Sequence, residues 1–371
     1  MRKMICLVSG QTLPNYRGIK ELKPEEVVYF FTEKSKDQLE TLKKVSRIQS
    51  QEHLVDFYDF EAIENLCGRL ISEDPDANWI LNMTGGTKIA SLACYRVFQN
   101  KNFPVIYVDS ENLRLIYLTE EQRRFEPFGK HFSIREIIRS HGQKVQNIRS
   151  DEFDSEIRRE EIELLFKVQQ FRNRKVANRF NKMCNQVSLK TIGRKETDYS
   201  MNIDKGLLKR VNGEFYFQYN DGKFEIPYRK FAGPEPEQFV LSGQWFEEYV
   251  YLLLRDSKLF DNAGLGVTIE WKLSQSINNP KNELDVVLVK NDSLYIIECK
   301  AGKVAAEDIN KIKSYKNLLG GSFCIPVIVS YFQLSEAMEE KLSENKIPFF
   351  SGWENFSHLP DFIANLTPYQ V

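Results

Sequence analysis

The feature that most constrains this sequence is a pair of apolar runs, residues 283–289 and 294–300, that flank a polar turn. Both runs are rich in β-branched and aromatic residues, and Asn291-Asp292 between them is typical of a tight turn. A two- or four-residue loop there pairs residue 289 with 294, 285 with 298 and 283 with 300. Because side chains alternate between the two faces of a strand, this register predicts one face with four charged side chains. These are Glu283, Asp285, Glu298 and Lys300.

Such a charged face on an otherwise apolar hairpin is costly unless something binds to it. Carboxylate oxygens are the ligands that Mg²⁺ and Mn²⁺ prefer, and a divalent cation offsets the repulsion between them. A neighbouring lysine, here Lys300, can orient a water molecule or stabilise charge that develops on a phosphate. The alternative is a half-exposed hairpin whose charges face solvent. The matched register favours a metal site.

Composition narrows the class of protein. With 371 residues the chain has room for two or three domains, and its net charge of −1 gives no overall field to hold a polyanion. Six cysteines and four histidines are dispersed along the sequence, which disfavours a zinc site and predicts reduced thiols in a cytoplasmic protein. The first residues turn polar too early for a signal peptide, and no apolar run approaches the ~20 residues that span a membrane.

The first third of the sequence alternates strand-like and helix-like patterns. Apolar runs lie at 4–8, 27–32, 79–83 and 104–109, and helical patterns lie between them. The helix predicted after residue 88 has four side chains inward, namely Ile89, Leu92, Ala93 and Val97. Strands that alternate with helices predict a parallel, doubly wound α/β sheet. Its ligands are expected at the carboxyl ends of the strands.

Two polar turns follow strands of this predicted sheet. The candidate ligand-binding residues are Ser9, Gly10, Gln11, Thr12 and Asn15 in the first turn and Thr84, Gly85, Gly86, Thr87 and Lys88 in the second. In the second turn the glycines allow close approach, the following helix presents free N–H groups, and Lys88 adds a positive charge. The spacing is not that of a P-loop, and a plain strand–helix turn is the alternative. Two such turns at one sheet edge favour anion binding.

These motifs resemble two known families. Residues 7–12, 82–88 and the segment from 133 to 142 resemble the CARF domain, a Rossmann-like sensor of cyclic oligoadenylates in type III CRISPR defence. Asp285 followed by Glu298-Cys299-Lys300 resembles the PD-(D/E)xK nuclease core, although Leu284 stands where a proline is expected. Nearly the whole chain is therefore similar to the effectors that fuse a CARF domain to a nuclease.

The resemblance implies an α/β protein with a CARF domain at 1–142, a connector at 143–240 and a restriction-endonuclease-like domain at 241–371. It implies a nuclease for DNA and/or RNA, preferably single-stranded, that depends on Mg²⁺ or Mn²⁺ and is activated by a cyclic oligoadenylate. It also implies a homodimer with one ligand on its twofold axis, and cyclic tetra-adenylate is the expected activator because its ring matches that symmetry.

The resemblance also implies roles for individual residues. Asp285 and Glu298 are expected to bind the metal, and Glu247, in a helix after a Gly-x-Trp lead-in, matches a further acidic ligand of the family. Either Glu247 or Glu283 would complete the metal shell. In the implied chemistry an activated water attacks the phosphodiester, while Lys300 orients the water or stabilises the developing charge.

Between the two motifs the sequence gives less information. Val176, Phe180, Met183 and Val187 follow a helical period, and residues 220–222 close a hairpin, so the connector is expected to hold a small winged-helix-like unit. Two other functions stay open. One is a ligand-sensing regulator that binds nucleic acid without cutting it, and divalent-dependent cleavage would separate it from a nuclease. The other is an enzyme that degrades its own cyclic ligand, although the first domain offers no clear catalytic set.

Overall fold

A computed structural model of the chain describes residues 1–119, 124–170, 174–191, 198–270 and 281–368. These residues form three sheets of seven, four and six strands, each covered by helices. Throughout this part of the chain, no helix combines the length and the apolar character that crossing a membrane requires.

The N-terminal domain is a seven-stranded sheet in the order β3-β2-β1-β4-β5-β6-β7. Its strands are β1 (Arg2–Leu7), β2 (Glu26–Phe31), β3 (Gln49–Leu54), β4 (Asn78–Asn82), β5 (Val105–Asp109), β6 (Arg114–Tyr117) and β7 (Arg124–Pro127). Its helices are α1 (Leu13–Leu22), α2 (Lys36–Ser46), α3 (Phe60–Glu73), α4 (Lys88–Asn100) and α5 (Ile134–Ser140). The first five strands are parallel, which confirms the predicted doubly wound α/β sheet.

Helix α4 faces the core differently from the prediction. Ala93 and Val97 are buried as expected, but the side chains of Ile89 and Leu92 are 37% and 56% exposed. The predicted inward orientation of these two residues is therefore wrong. The helix instead turns small side chains such as Ala90 and Cys94 toward the sheet and α3, where they allow close packing.

The C-terminal domain is a six-stranded sheet in the order β17-β16-β15-β14-β13-β8. Its strands are β8 (Lys144–Ile148), β13 (Asn262–Glu270), β14 (Lys281–Lys290), β15 (Ser293–Lys300), β16 (Cys324–Ser330) and β17 (Phe349–Ser351). Its helices are α10 (Gln244–Asp256), α11 (Ala306–Leu319), α12 (Glu336–Glu344) and α13 (Leu359–Ala364). The edge strand β8 comes from the segment that the sequence assigned to the connector.

The remaining elements lie between β8 and α10. They are α6 (Arg149–Glu152), α7 (Arg159–Gln170), α8 (Arg174–Thr191), β9 (Tyr199–Ile203), β10 (Gly206–Val211), β11 (Glu214–Asn220), β12 (Glu225–Phe231) and α9 (Pro236–Leu241). The predicted apolar stripe of α8 is buried and the hairpin β11–β12 is present. The four strands form an antiparallel meander packed on helices, in place of the winged-helix-like unit expected. A buried ion pair, Arg158 Nε to Glu248 Oε2 at 3.0 Å, fastens this region to α10.

One apolar core runs from the N-terminal domain into the C-terminal sheet. Ile134 and Ile137 of α5 belong to the same buried cluster as Val287 and Val289 of β14. One face of the β14–β15 hairpin is thus covered partly by the N-terminal domain and partly by α11, so the two domains share a packed boundary.

Candidate active site

The β14–β15 hairpin has the predicted register. Val289 pairs with Leu294 and Val286 with Ile297, where the paired residues end. Extending this register by one pair sets Asp285 opposite Glu298, and Asp285 Oδ2 accepts a hydrogen bond from the neighbouring Cys299 N–H. Asn291 and Asp292 form a two-residue turn, and both have a left-handed backbone with φ of 53° and 59°. A turn with positive φ at both central residues matches the twist of a hairpin, which explains why Asn-Asp occurs there.

Glu298 is the most enclosed acid of this face, with 2% of its surface exposed. Lys300 Nζ lies 2.8 Å from Glu298 Oε1, and Lys311 Nζ of α11 lies 2.9 Å from each carboxylate oxygen. Lys300 Nζ also contacts Asp308 Oδ1 at 2.9 Å. Burial alone would lower the pKa of Lys300, but the charges of Glu298 and Asp308 outweigh it and raise the pKa. Lys300 is therefore a cation at neutral pH rather than a base.

Two further acids of the site, Asp285 and Glu247, are repelled by a neighbouring carboxylate. Burial and repulsion from Glu298 raise the pKa of Asp285, although its Oδ2 accepts a hydrogen bond of 2.8 Å from the Cys299 N–H. Burial and repulsion from Asp285 raise the pKa of Glu247. Asp285 thus interacts unfavourably with an acid on α10 and with another on β15.

Arg149 and Gly266 shape the side of the site nearest β8. Arg149 Nη2 lies 3.1 Å from Glu247 Oε2, and its Nη1 lies 3.7 Å from Glu283 Oε1. The register of β13 with β14 puts Gly266 across from Asp285. Gly266 has φ of 59°, and a Cβ there would lie 2.8 Å from Glu283 Oε1 and 2.9 Å from Arg149 Cβ. Glycine is required here because the arginine and the acid fill this space.

The acids fit a divalent cation by their chemistry. They are hard oxygen donors, and the raised pKa values of Asp285 and Glu247 come partly from the repulsion that such a cation removes. Among the residues described, however, no three His, Cys, Asp or Glu side chains form a ready-made metal centre. The counter-charges of Glu298 are instead the ammonium groups of Lys300 and Lys311.

The two polar turns of the N-terminal domain lie side by side. They follow the adjacent strands β1 and β4, where the order of strand addition reverses and α/β sheets commonly bind ligands. Gly85 packs so closely on β1 that a Cβ would lie 2.0 Å from the Leu7 carbonyl oxygen. Lys88 is exposed at the start of α4, and Thr87 caps that helix by accepting from the Ala90 N–H at 3.2 Å.

Not all predicted ligand-binding residues are open to solvent. Ser9, Gly10 and Gln11 are partly or fully exposed, as are Thr84, Gly86 and Thr87. The buried Thr12 hydroxyl donates to the Ser140 carbonyl oxygen. The buried Asn15 lies inside α1, where its Nδ2 donates to the Leu7 carbonyl oxygen at 2.9 Å. The side chains of Thr12 and Asn15 thus hold the turn in place, while Lys88 and the exposed residues of both turns are accessible.

Family comparisons match both domains. The Card1 CARF domain matches residues 4–137, and the Card1-like endonuclease domain matches residues 235–364. The chain belongs to the CARF nucleases of type III CRISPR defence. The two candidate ligand-binding turns lie within the first matched range, and Asp285, Glu298 and Lys300 lie within the second.

Solved structures support the same architecture over the whole chain. Can2 from Sulfobacillus thermosulfidooxidans, in complex with cyclic tetra-adenylate, is 25% identical with a TM-score of 0.74, covering 99% of this chain and 100% of Can2. VC1899 from Vibrio cholerae has a TM-score of 0.74 at 15% identity, covering 98% of this chain and 97% of VC1899. A type III CRISPR defence DNA nuclease activated by cyclic oligoadenylate has a TM-score of 0.55 at 14% identity, covering 93% of this chain and 52% of that one. No protein with a curated description matches significantly.

Four residues of the endonuclease site were not found from the sequence: Arg149, Gly266, Asp308 and Lys311. Asp308 and Lys311 had a usable signal, because the two residues are three positions apart on the helix after the Glu-x-Lys strand and so share one face. Arg149 had no such signal in the sequence. It lies directly after β8 and reaches the site only because β8 pairs with β13, which begins more than a hundred residues later.

Proposed function

We propose that this CARF nuclease hydrolyses phosphodiester bonds of DNA or RNA in the endonuclease site, with Mg²⁺ or Mn²⁺ held by Asp285, Glu298 and Glu247. The surroundings of Glu298 carry this proposal. Its buried carboxylate contacts two ammonium groups and repels a second acid, Asp285, and such a cluster of interacting charges is more typical of a reactive site than of a structural ion pair. We further propose that cyclic tetra-adenylate, bound by the CARF domains of a cytoplasmic homodimer, activates cleavage.

Each side chain has a defined role in this reaction. The metal, when bound, supplies Lewis-acid activation of water and of the phosphate. Asp285 and Glu298 hold it from adjacent strands, and Glu247 adds a donor from α10. Lys300 stabilises negative charge on the phosphate rather than removing a proton, because its pKa is raised. Asp308 holds Lys300 in place from the first turn of α11.

Exposed apolar side chains near the CARF turns support a dimer. Ile89 and Leu92 project from the first turns of α4, directly after the Thr84–Lys88 turn, and Tyr107 of β5 is also exposed. A second copy related by a twofold axis would cover such a surface and bring two sets of turns onto one ligand. The Can2 complex shows that a protein of this architecture binds cyclic tetra-adenylate.

The proposed activity is tested by measuring cleavage across a ligand titration. Labelled single- and double-stranded DNA and RNA are incubated with the full-length protein and Mn²⁺ or Mg²⁺. Cyclic tetra-adenylate is varied, with cyclic hexa-adenylate and linear oligoadenylate as controls. Cleavage is expected to need both the metal and the cyclic tetramer. Equal rates at zero and saturating concentrations of every ligand would contradict activation, and no cleavage under any condition would favour a binding regulator.

Replacing Lys88 by alanine is expected to weaken cyclic tetra-adenylate binding. A charge-assisted contact to phosphate contributes about 1.5–3 kcal/mol, and a symmetric dimer loses it twice on one ligand. The loss should therefore reach at least about a hundredfold in Kd by calorimetry. Lys101→Ala, at the exposed far end of the same helix, is the matched control. Equal affinities for the two variants would place the phosphates elsewhere.

A further inference from the structure

The turn of the β14–β15 hairpin, here called the catalytic hairpin, contacts the CARF domain. Arg17 of α1 forms an ion pair with Asp292, and the Phe132 N–H donates to Asp292 Oδ1 at 3.0 Å. Arg17 and Asp292 are only 3% and 4% exposed. Asp292 therefore belongs to the hairpin in sequence, but its side chain contacts Arg17 and Phe132 of the CARF domain.

Arg17 is held from several directions. Its Nη1 donates to Glu21 Oε1 at 2.9 Å and to the Lys130 carbonyl oxygen at 2.8 Å. Its guanidinium lies 4.6 Å from the ring centre of Phe128 and 3.6 Å from that of Phe132. A buried ion pair is rarely a net source of stability, and apolar residues would fill this boundary at less cost in desolvation. What the pair supplies is a directional link, since a fixed guanidinium fork specifies where the partner carboxylate lies.

The same helix is attached to the ligand-binding turn. Helix α1 begins at Leu13, directly after Ser9–Thr12, and Arg17 lies about one helical turn further on. Asn15 ties the first turn of α1 to the end of β1, and Asn82 of β4 donates to Asn15 Oδ1 at 3.3 Å. The first turn of α1 therefore contacts both strands whose ends carry the ligand-binding turns.

A second contact joins the ligand-binding turn to the endonuclease domain. A Cβ on Gly321, just beyond the end of α11, would lie 2.8 Å from Gln11 Nε2. The Oε1 of Gln11 is buried without a hydrogen-bond partner within the part of the chain that the structure describes. The turn that we propose binds the ligand thus lies against the segment that directly follows the helix carrying Asp308 and Lys311.

We infer that the Arg17–Asp292 pair transmits ligand binding to the catalytic hairpin, an inference that rests on the proposed function. Ligand contacts at Ser9–Gln11 shift the start of α1, and Arg17 carries that shift to Asp292. The hairpin then moves Asp285 and Glu298, which lie on its two strands, relative to Glu247 on α10, since the three acids do not form a ready-made metal centre in the present arrangement. Arg17 is accordingly a positioning residue. The ligand-bound state is the one in which the acids come together.

The test compares full-length Arg17→Met and Asp292→Asn with Glu21→Gln. The control removes the charge of another partner of Arg17 on the same helix but leaves the pair with Asp292 intact. Affinity for cyclic tetra-adenylate, cleavage with and without it, and thermal unfolding are measured for each. Both pair variants should bind the ligand like wild type but lose at least about tenfold of its stimulation of cleavage. The double variant should lose no more than either single one, and Glu21→Gln should keep the stimulation.

Folded variants that retain wild-type stimulation would overturn the inference. If a variant does not fold, hydrogen exchange of the wild-type protein decides instead. Saturating cyclic tetra-adenylate should change amide exchange in β14 and β15 as well as in α1. An activated enzyme whose hairpin exchanges identically with and without the ligand would also overturn it. A wild-type protein that the ligand does not activate would contradict the proposed function itself.

Discussion

Replacing Glu298 by alanine is expected to abolish cleavage, by about a thousandfold or more, while affinity for cyclic tetra-adenylate stays near wild type. Glu298 is the acid that contacts both Lys300 and Lys311, so its loss removes a metal donor and leaves two ammonium groups without their shared partner. The ligand-binding turns are part of another sheet and should not be affected. Glu298→Gln keeps the shape and removes only the charge, and it should be nearly as inactive.

Glu307→Ala is the matched control, because this acid is exposed in the first turn of α11. Cleavage rates are compared at saturating ligand and metal. If Glu298→Ala folds, binds the ligand and still cleaves like the control, the site has been assigned wrongly.

Metal binding by the same variants gives a measurement that does not depend on activity. Glu247 and Asp285 have raised pKa values in the folded protein, so protons compete with a cation for them. Calorimetric affinity for Mn²⁺ should therefore rise from mildly acidic to mildly alkaline pH, and Glu298→Ala should weaken it. The folded state binds these protons more tightly than the unfolded state. The contribution of the two acids to stability must then fall as pH rises through this range, until metal restores it.

The sequence predicted the hairpin well because its determinants are local. Period-two alternation and the Asn291-Asp292 turn fix the register, and extending it by one pair brings Asp285 and Glu298 together. The parallel core of the first sheet was predictable for the same reason. Strand β3 was missed because Gln49–Leu54 is a polar edge strand, so its sequence lacks an apolar run.

The rest of the site depends on contacts between distant segments. Arg149 is brought to the site by the edge strand β8, which belongs to the segment predicted as the connector. Arg17 contacts Asp292 across the boundary between the two domains. The spacing of apolar residues does not by itself tell which side of a helix is buried. In α4 the exposed Ile89 and Leu92 have the same spacing as residues that face a core. Only the packing of α4 on α3 distinguishes the two.

The shared boundary also changes how the endonuclease domain is to be studied. A fragment that starts at Gly243 lacks β8, and it loses the α5 cover over Val287 and Val289. Such a fragment exposes part of its core, so loss of ligand control in it would have more than one cause. Single substitutions in the full chain avoid this difficulty.

Replacing Lys300 by methionine is expected to reduce cleavage by about a hundredfold to a thousandfold while metal affinity is kept or increased. Methionine preserves the length and apolar stem of the side chain but removes the charge that stabilises the phosphate. It also removes one of the two cations that compete with a metal for Glu298. Lys311→Met removes the other, so it too should bind Mn²⁺ more tightly.

The two lysines are expected to differ in the chemical step. Lys300 is fixed by Asp308 as well as by Glu298, whereas the Lys311 ammonium donates to the two carboxylate oxygens of Glu298. Lys311→Met should therefore cost less in single-turnover cleavage rate than Lys300→Met. Lys313→Met, exposed on the same helix and bonded to Asn345, is the control for both. If Lys300→Met cleaves like Lys313→Met, Lys300 takes no part in the chemistry. If both site variants lose the same large factor, Lys311 is a second phosphate-stabilising cation rather than a counter-ion of Glu298.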